Sequence, residues 1–191
     1  LINKFRKQIN KVYKKSDLML VIDFGFNFLN DDLVKFIDNF KYSINVHSNS
    51  INNNFNNASK YKKSIYSTLN LNEYLSDRKL KHENNLDKFL NYLKKNEKKD
   101  DFSITLGKKG SILKKNGKLF YCPSFFGYTK DTTGSGDAYY TITALLNKLK
   151  IEPELVAFLG NIYAGLHANT IGNKTFSNSE DLIKVAKILL S

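Results

Sequence analysis

Apolar positions recur along the chain in two periods. Phe5, Ile9, Val12 and Tyr13 fall at helical spacing, and Leu33, Phe36, Ile37 and Phe40 share one face of the segment from Asp31 to Phe40. Between them, Leu18 to Asp23 is a short continuous apolar run that ends in an acid and Phe24-Gly25, which predicts a buried strand and its exit turn. Further strands are expected at Tyr42 to Val46 and Ser64 to Leu69, and a helix over Asn85 to Leu93, where Leu86, Phe89, Leu90 and Leu93 line up. Buried strands alternating with helices point to a parallel sheet covered on both faces. The Asn-dense stretch Ser48 to Lys60 fits a loop or a short helix, and the charged run Lys94 to Asp101 a solvated connection.

From Phe102 the pattern changes. Two β-prone runs flank Asn116-Gly117, the strongest short-range hairpin signal, so Ser111 to Cys122 is expected to be an antiparallel ribbon. The remainder reads as helical. Ala138 to Leu149 follows a Gly-rich turn, Pro153 sits at the start of a helix carrying Leu155, Phe158, Leu159, Ile162, Tyr163 and Leu166, and Ser179-Glu180-Asp181 opens a last helix. There is no internal repeat and no long linker, so residues 1–191 are expected to form a single domain.

Composition adds little to this and removes several function classes. Apolar residues make up 41% and aromatics 13%, ample for a packed interior. The net charge of +12 invites a nucleic-acid reading, but only Arg6 and Arg78 are arginines and the lysines are scattered, whereas phosphate and base readers favour the bidentate guanidinium. The expectation is therefore no nucleic-acid partner. Cys122 is the only cysteine, so no intramolecular disulfide or CxxC site exists, and His47, His82 and His167 lack zinc spacing. No apolar run reaches the length of a membrane span and the first residues do not read as a signal peptide, so no membrane partner and a cytoplasmic setting are expected. The chain begins at Leu1 rather than Met, which makes an upstream segment a further expectation.

Candidate chemistry concentrates in Asp131-Thr132-Thr133-Gly134-Ser135-Gly136-Asp137, directly before an apolar helix. A Gly-x-Gly turn at a helix start aims backbone N–H groups into one concavity, where the helix dipole adds partial positive charge. A carboxylate at its mouth can take the proton of an attacking hydroxyl while the amides stabilise a transferring phosphoryl group. Taken alone, Gly-x-Gly-Asp is more often a plain helix cap. Two other stretches read singly as local structure: Thr105-Leu106-Gly107-Lys108-Lys109-Gly110 as a β-turn before a hairpin, and Asn70-Leu71-Asn72-Glu73 as a capping box.

The full string DTTGSGD resembles the second signature of the ribokinase (PfkB) sugar-kinase family, D-[ST]-x-G-[AS]-G-D, and the TLGKKG and NLNE elements resemble the family's T-x-G-x-x-G and N-x-x-E in order and spacing. The resemblance implies a ribokinase-like three-layer α/β/α fold with a mainly parallel sheet, spanning here roughly Leu18 to Leu190 and lacking the family's N-terminal part and lid. It implies Asp137 as catalytic base with Gly134, Ser135 and Gly136 as anion hole, and ATP held by Thr105, Gly107, Gly110, Asn161 and Gly172. It further implies Mg²⁺ positioned through Asn70 and Glu73, and a monovalent cation such as K⁺ near Asp131 and Thr133, with Thr170 and Gly172 as less secure ligands. The function it implies is transfer of the ATP γ-phosphoryl group to a sugar or phosphosugar hydroxyl. The alternative is a regulatory or scaffolding module that kept the nucleotide pocket. Asp23-Phe24-Gly25 and Asn45 to Ser50 resemble heptose-phosphate kinase and ADP-heptose synthase-like modules, which implies a heptose phosphate as substrate and a fused nucleotidyltransferase or a separate N-terminal half as partner. Family members often pair through the lid, which has no counterpart here, so the resemblance leaves a homodimer open.

Overall fold

The computed structural model describes residues 2–48, 56–83, 85–171 and 177–191. The chain divides into two compact units, Leu1–His82 and Glu83–Ser191.

The first unit runs α1 (Ile2–Tyr13), β1 (Leu20–Asp23), α2 (Asp31–Ile37), β2 (Ser43–Val46), β3 (Tyr66–Asn70) and α3 (Leu71–Asp77). Its three strands are parallel, with Val21 beside Ile44 and Ile44 beside Ser67. All four residues of β2 are buried, as expected of a strand covered on both faces. Leu33, Tyr42, Ile44, Tyr61 and Tyr74 are among its fully enclosed side chains. The helix predicted to Phe40 stops at Ile37, because the Asn39 side chain donates to the Lys35 and Phe36 carbonyls and closes the last turn. The Ser48 to Lys60 stretch yields one 3₁₀ turn, Ala58–Lys60, and its Asn-rich part lies outside the described residues. None of the α1 residues is buried, and an apolar cavity of about 600 Å³ lies between α1 and β1, lined by Phe5, Ile9, Val12, Leu20, Ile22 and Phe28 among others.

The second unit runs α4 (Leu86–Asn96), β4 (Phe102–Thr105), β5 (Ser111–Lys115), β6 (Lys118–Cys122), α5 (Ser135–Lys148), α6 (Pro153–Ala168) and α7 (Ser179–Leu190). Strands β4, β5 and β6 form an antiparallel meander in which Leu113 pairs with Ser103 on one side and Phe120 on the other. The β5–β6 turn is as the sequence predicts, with positive φ at both Asn116 (51°) and Gly117 (74°), the backbone that matches the twist of a two-residue hairpin. Helix α4 continues three residues into the charged run, ending with Lys94 and Lys95 in its last turn, where cations meet the negative end of the helix dipole. Helix α5 starts three residues earlier than the apolar pattern suggests and so takes in Asp137.

The helices of this unit pack closely because α6 carries glycine where α5 crosses it. A Cβ at Gly160 would fall 2.5 Å from Thr143 Cγ2 and 2.8 Å from the Tyr139 ring. Tyr139 is buried, and its hydroxyl donates to Ser111 Oγ at 3.0 Å, so the start of α5 is pinned to β5. Leu113, Val156 and Ala157 form one core cluster, and Ile162, Leu182 and Ala186 a second under α7. No helix among the described residues is long and apolar enough to cross a membrane.

Candidate active site

The Gly-rich turn owes its shape to Gly134, which takes the left-handed conformation (φ 78°, ψ −5°) immediately before α5. Around it, Asp131 Oδ1 accepts from Thr133 N at 2.9 Å, and the Thr132 carbonyl accepts from both Ser135 N (3.2 Å) and Ser135 Oγ (2.7 Å). The Ser135 amide is thus committed within the turn. The Gly136 amide, at the second helical position, has no acceptor within the helix, and a Cβ on Gly136 would meet nothing within 4 Å. Gly136 therefore borders open space at the positive end of a 14-residue helix. Asp137 is the next residue of the same first turn and is half-buried.

Ser135 and Gly136 line a cleft of about 260 Å³ together with Thr105, Gly107, Lys108 and Gly110 from the β4–β5 turn and Asn161, Ala164, Gly165 and Ala168 from α6. Three stretches far apart in sequence thereby converge on one opening. Gly107 to Lys109 makes a single 3₁₀ turn closed by Gly110 at φ 97°, ψ −136°. A Cβ there would fall 2.1 Å from the Cys122 carbonyl oxygen, so only glycine lets the turn lie against the end of β6. The side-chain amide of Asn161 donates to the carbonyls of Cys122 (2.9 Å) and Pro123 (3.3 Å), fixing α6 to the same strand end while lining the cleft. Burial raises the Cys122 thiol above its usual range, against a smaller opposite effect of Asn161, which keeps it protonated and a poor nucleophile.

The expected cation residues fall into two groups. Asp131 lies beside the C-terminal end of α6, because Lys130 N and Asp131 N both donate to the Ala168 carbonyl at 2.9 and 3.0 Å. Thr170 belongs to the same end and donates its hydroxyl to the His167 carbonyl at 2.7 Å. Gly172 lies outside the described residues. In the first unit, Asn70 and Glu73 form a reciprocal capping box on α3. Asn70 Oδ1 accepts from Glu73 N (2.9 Å), and Glu73 Oε2 accepts from Asn70 N (2.7 Å). Glu73 Oε1 also accepts from Ser48 N at 3.1 Å. Among the described residues, no group of three or more His, Cys, Asp or Glu side chains is placed to hold a metal ion.

Sequence reasoning missed several residues of the cleft: Ser124, Phe126, Thr129 and Thr132 from the segment before α5, and Ala164, Gly165 and Ala168 from α6. The small residues at 164, 165 and 168 recur on one helical face and were a readable sign of close approach. Phe126 sits in irregular chain, where no periodicity marks it.

The profile of the pfkB family carbohydrate kinases matches residues 45–160. No protein of curated function matches the chain. Among solved structures, Arabidopsis thaliana ribokinase complexed with ribose and ATP superposes with a TM-score of 0.73 at 16% identity, over 93% of this chain and 58% of that one. Escherichia coli phosphofructokinase-2 in complex with potassium gives 0.71 at 12% identity over 97% and 62%, and Thermotoga maritima ribokinase 0.65 at 18% over 93% and 59%. The fold is thus ribokinase-like α/β, and the chain spans about three fifths of the length of these structures.

Proposed function

We propose that this chain, which belongs to the pfkB family of carbohydrate kinases, supplies the nucleotide-binding and phosphoryl-transfer part of an ATP-dependent sugar kinase. The observation that carries this reading is the convergence of the α5 start and the 105–110 turn on one cleft. Both are glycine-shaped backbone, the material from which phosphate-binding walls are made.

In this reading the Gly136 amide and the α5 dipole stabilise the charge on the transferring phosphoryl group, while the 105–110 turn and α6 hold the rest of the nucleotide. Asp137, one residue into the helix, accepts the proton of the attacking sugar hydroxyl. Magnesium, when bound with the nucleotide, supplies neutralising charge to the phosphates. The Asn70–Glu73 box is the proposed element for ordering water around such an ion: Glu73 Oε1 accepts from Ser48 N and Oε2 from Asn70 N, which holds the carboxylate in a fixed orientation. Asp131, Thr133 and the last carbonyls of α6 would hold a monovalent cation. The acceptor is a sugar or phosphosugar, with a heptose phosphate the first to test, on the resemblance of the segments around Asp23 and Asn45.

The test is calorimetric titration and thermal melting of the chain with Mg-ATP, sulfate and duplex DNA. Saturable Mg-ATP binding that raises the melting temperature, with no response to DNA, is expected; at a hundred-fold excess over Kd the gain is about 2.7 kcal/mol. Stabilisation by DNA and not by Mg-ATP would overturn the assignment.

A further inference from the structure

The cleft has an aromatic wall to which the reading above assigns no part. Phe126 lies between β6 and α5 with its ring half-buried and lining the cleft. The ring is seated on the backbone of α6: a Cβ built at Gly165 would fall 2.0 Å from Phe126 Cδ2 and 2.3 Å from Cε2. Any side chain at 165 would therefore push the ring off its seat and into the opening. The neighbouring wall residues on α6, Ala164 and Ala168, carry only methyl groups, which leaves room beside the ring. No other aromatic ring stacks on Phe126 among the described residues. A π-face held against a helix on one side and open to a cleft on the other suits a flat aromatic ligand group, because stacking rewards a preorganised surface.

We propose that Phe126, seated on Gly165, is the platform on which the planar base of a nucleoside triphosphate stacks, so that this pair sets the preference of the cleft for a nucleotide over a bare polyphosphate. The proposal rests on the nucleotide reading of the cleft and adds to it the residue that selects the base. Gly165 acts through Phe126 as a positioning residue.

The two readings separate when ATP and inorganic tripolyphosphate are titrated, each with Mg²⁺, into the wild type, Phe126→Ala, Phe126→Leu and Gly165→Ala. Circular dichroism identifies the variants that remain folded. Phe126→Leu keeps apolar bulk without a π-face, so it serves should the alanine variant fail to fold. ATP affinity is expected to fall about tenfold or more in each variant while tripolyphosphate affinity stays within about twofold. Equal losses for both ligands, or unchanged ATP affinity in folded Phe126→Leu, would overturn the platform and leave the phosphate site standing. A wild type that binds tripolyphosphate as tightly as ATP would do the same. A wild type that binds neither would overturn the nucleotide reading and the platform with it.

Discussion

Tyr61 donates its hydroxyl to the buried carboxylate of Asp23 at 2.7 Å, joining residues 38 positions apart. Lys60 Nζ reaches the same oxygen at 2.7 Å, Gly25 N donates to the other at 2.9 Å, and the Asn56 side chain donates to the Asp23 and His47 carbonyls at 3.1 Å each. The exit of β1 is thereby tied to the 3₁₀ turn before β3. Replacing Tyr61 with Phe removes one donor to a buried charge and is expected to cost about 1–3 kcal/mol, read from urea midpoints at unchanged m-value.

The same cluster predicts an acid limit. Burial pushes the Asp23 carboxyl up, but the Lys60, Tyr61 and Gly25 contacts outweigh it and hold the group below its ordinary range. A carboxylate depressed in the folded state contributes stability that is complete above its unfolded pKa of about 3.9 and is lost as pH falls through the lower folded value. Melting temperature should therefore drop steeply below about pH 4. In Asp23→Asn, less stable at neutral pH, that acid slope should be shallower; an identical slope would remove Asp23 from the explanation.

Gly110→Ala places a methyl group on the Cys122 carbonyl at a backbone conformation that L side chains rarely adopt. A loss of about 2–4 kcal/mol is expected. Gly107→Ala serves as the control, since its Cβ would meet nothing within 4 Å and only its own positive φ resists. The second variant should melt closer to the wild type.

The Asn70–Glu73 box can be separated from any role in catalysis. Asn70→Ala should cost about 1 kcal/mol through loss of the cap. Glu73→Gln retains one oxygen but turns its NH2 toward the second amide that the carboxylate served, so it should cost about 1–3 kcal/mol. If Glu73 also orders water around Mg²⁺, the same variant in the complete kinase needs more Mg²⁺ for half-maximal rate.

Asp137→Asn in the complete kinase should leave ATP affinity largely intact and lower kcat about 10²–10⁴-fold, the range a positioned general base supplies. Single-turnover kinetics with the sugar substrate check this. Turnover at the wild-type rate would place the base elsewhere.

What could be read from sequence followed the strength of local signals. The buried runs of β1, β2 and β3 and the Asn116-Gly117 turn were legible within two or three residues, because each is fixed by its own side chains. The identity of the DTTGSGD turn was legible, but not that the Ser135 amide closes on Thr132, which depends on how Gly134 turns the chain. The capping box at Asn70 was as visible as the metal reading, and the structure contains its hydrogen bonds. Asn161 stood out as a polar residue on an apolar helix, yet its two carbonyl partners lie 39 and 38 residues away and only the fold reveals them. Phe126 carried no sequence signal, since its significance comes from a glycine on another element.

The β5–β6 hairpin also bears on the order of assembly. Its two-residue turn brings partners together from a separation of only a few residues, a microsecond event in isolated hairpins, whereas α6 must return across α5 before Asn161 can reach the end of β6. The hairpin wall can therefore stand before the helical wall closes against it, and on that order the cleft would be completed late. Occupancy by a ligand would then report completed folding of this half of the chain, and a nucleotide present during refolding would act on its final step.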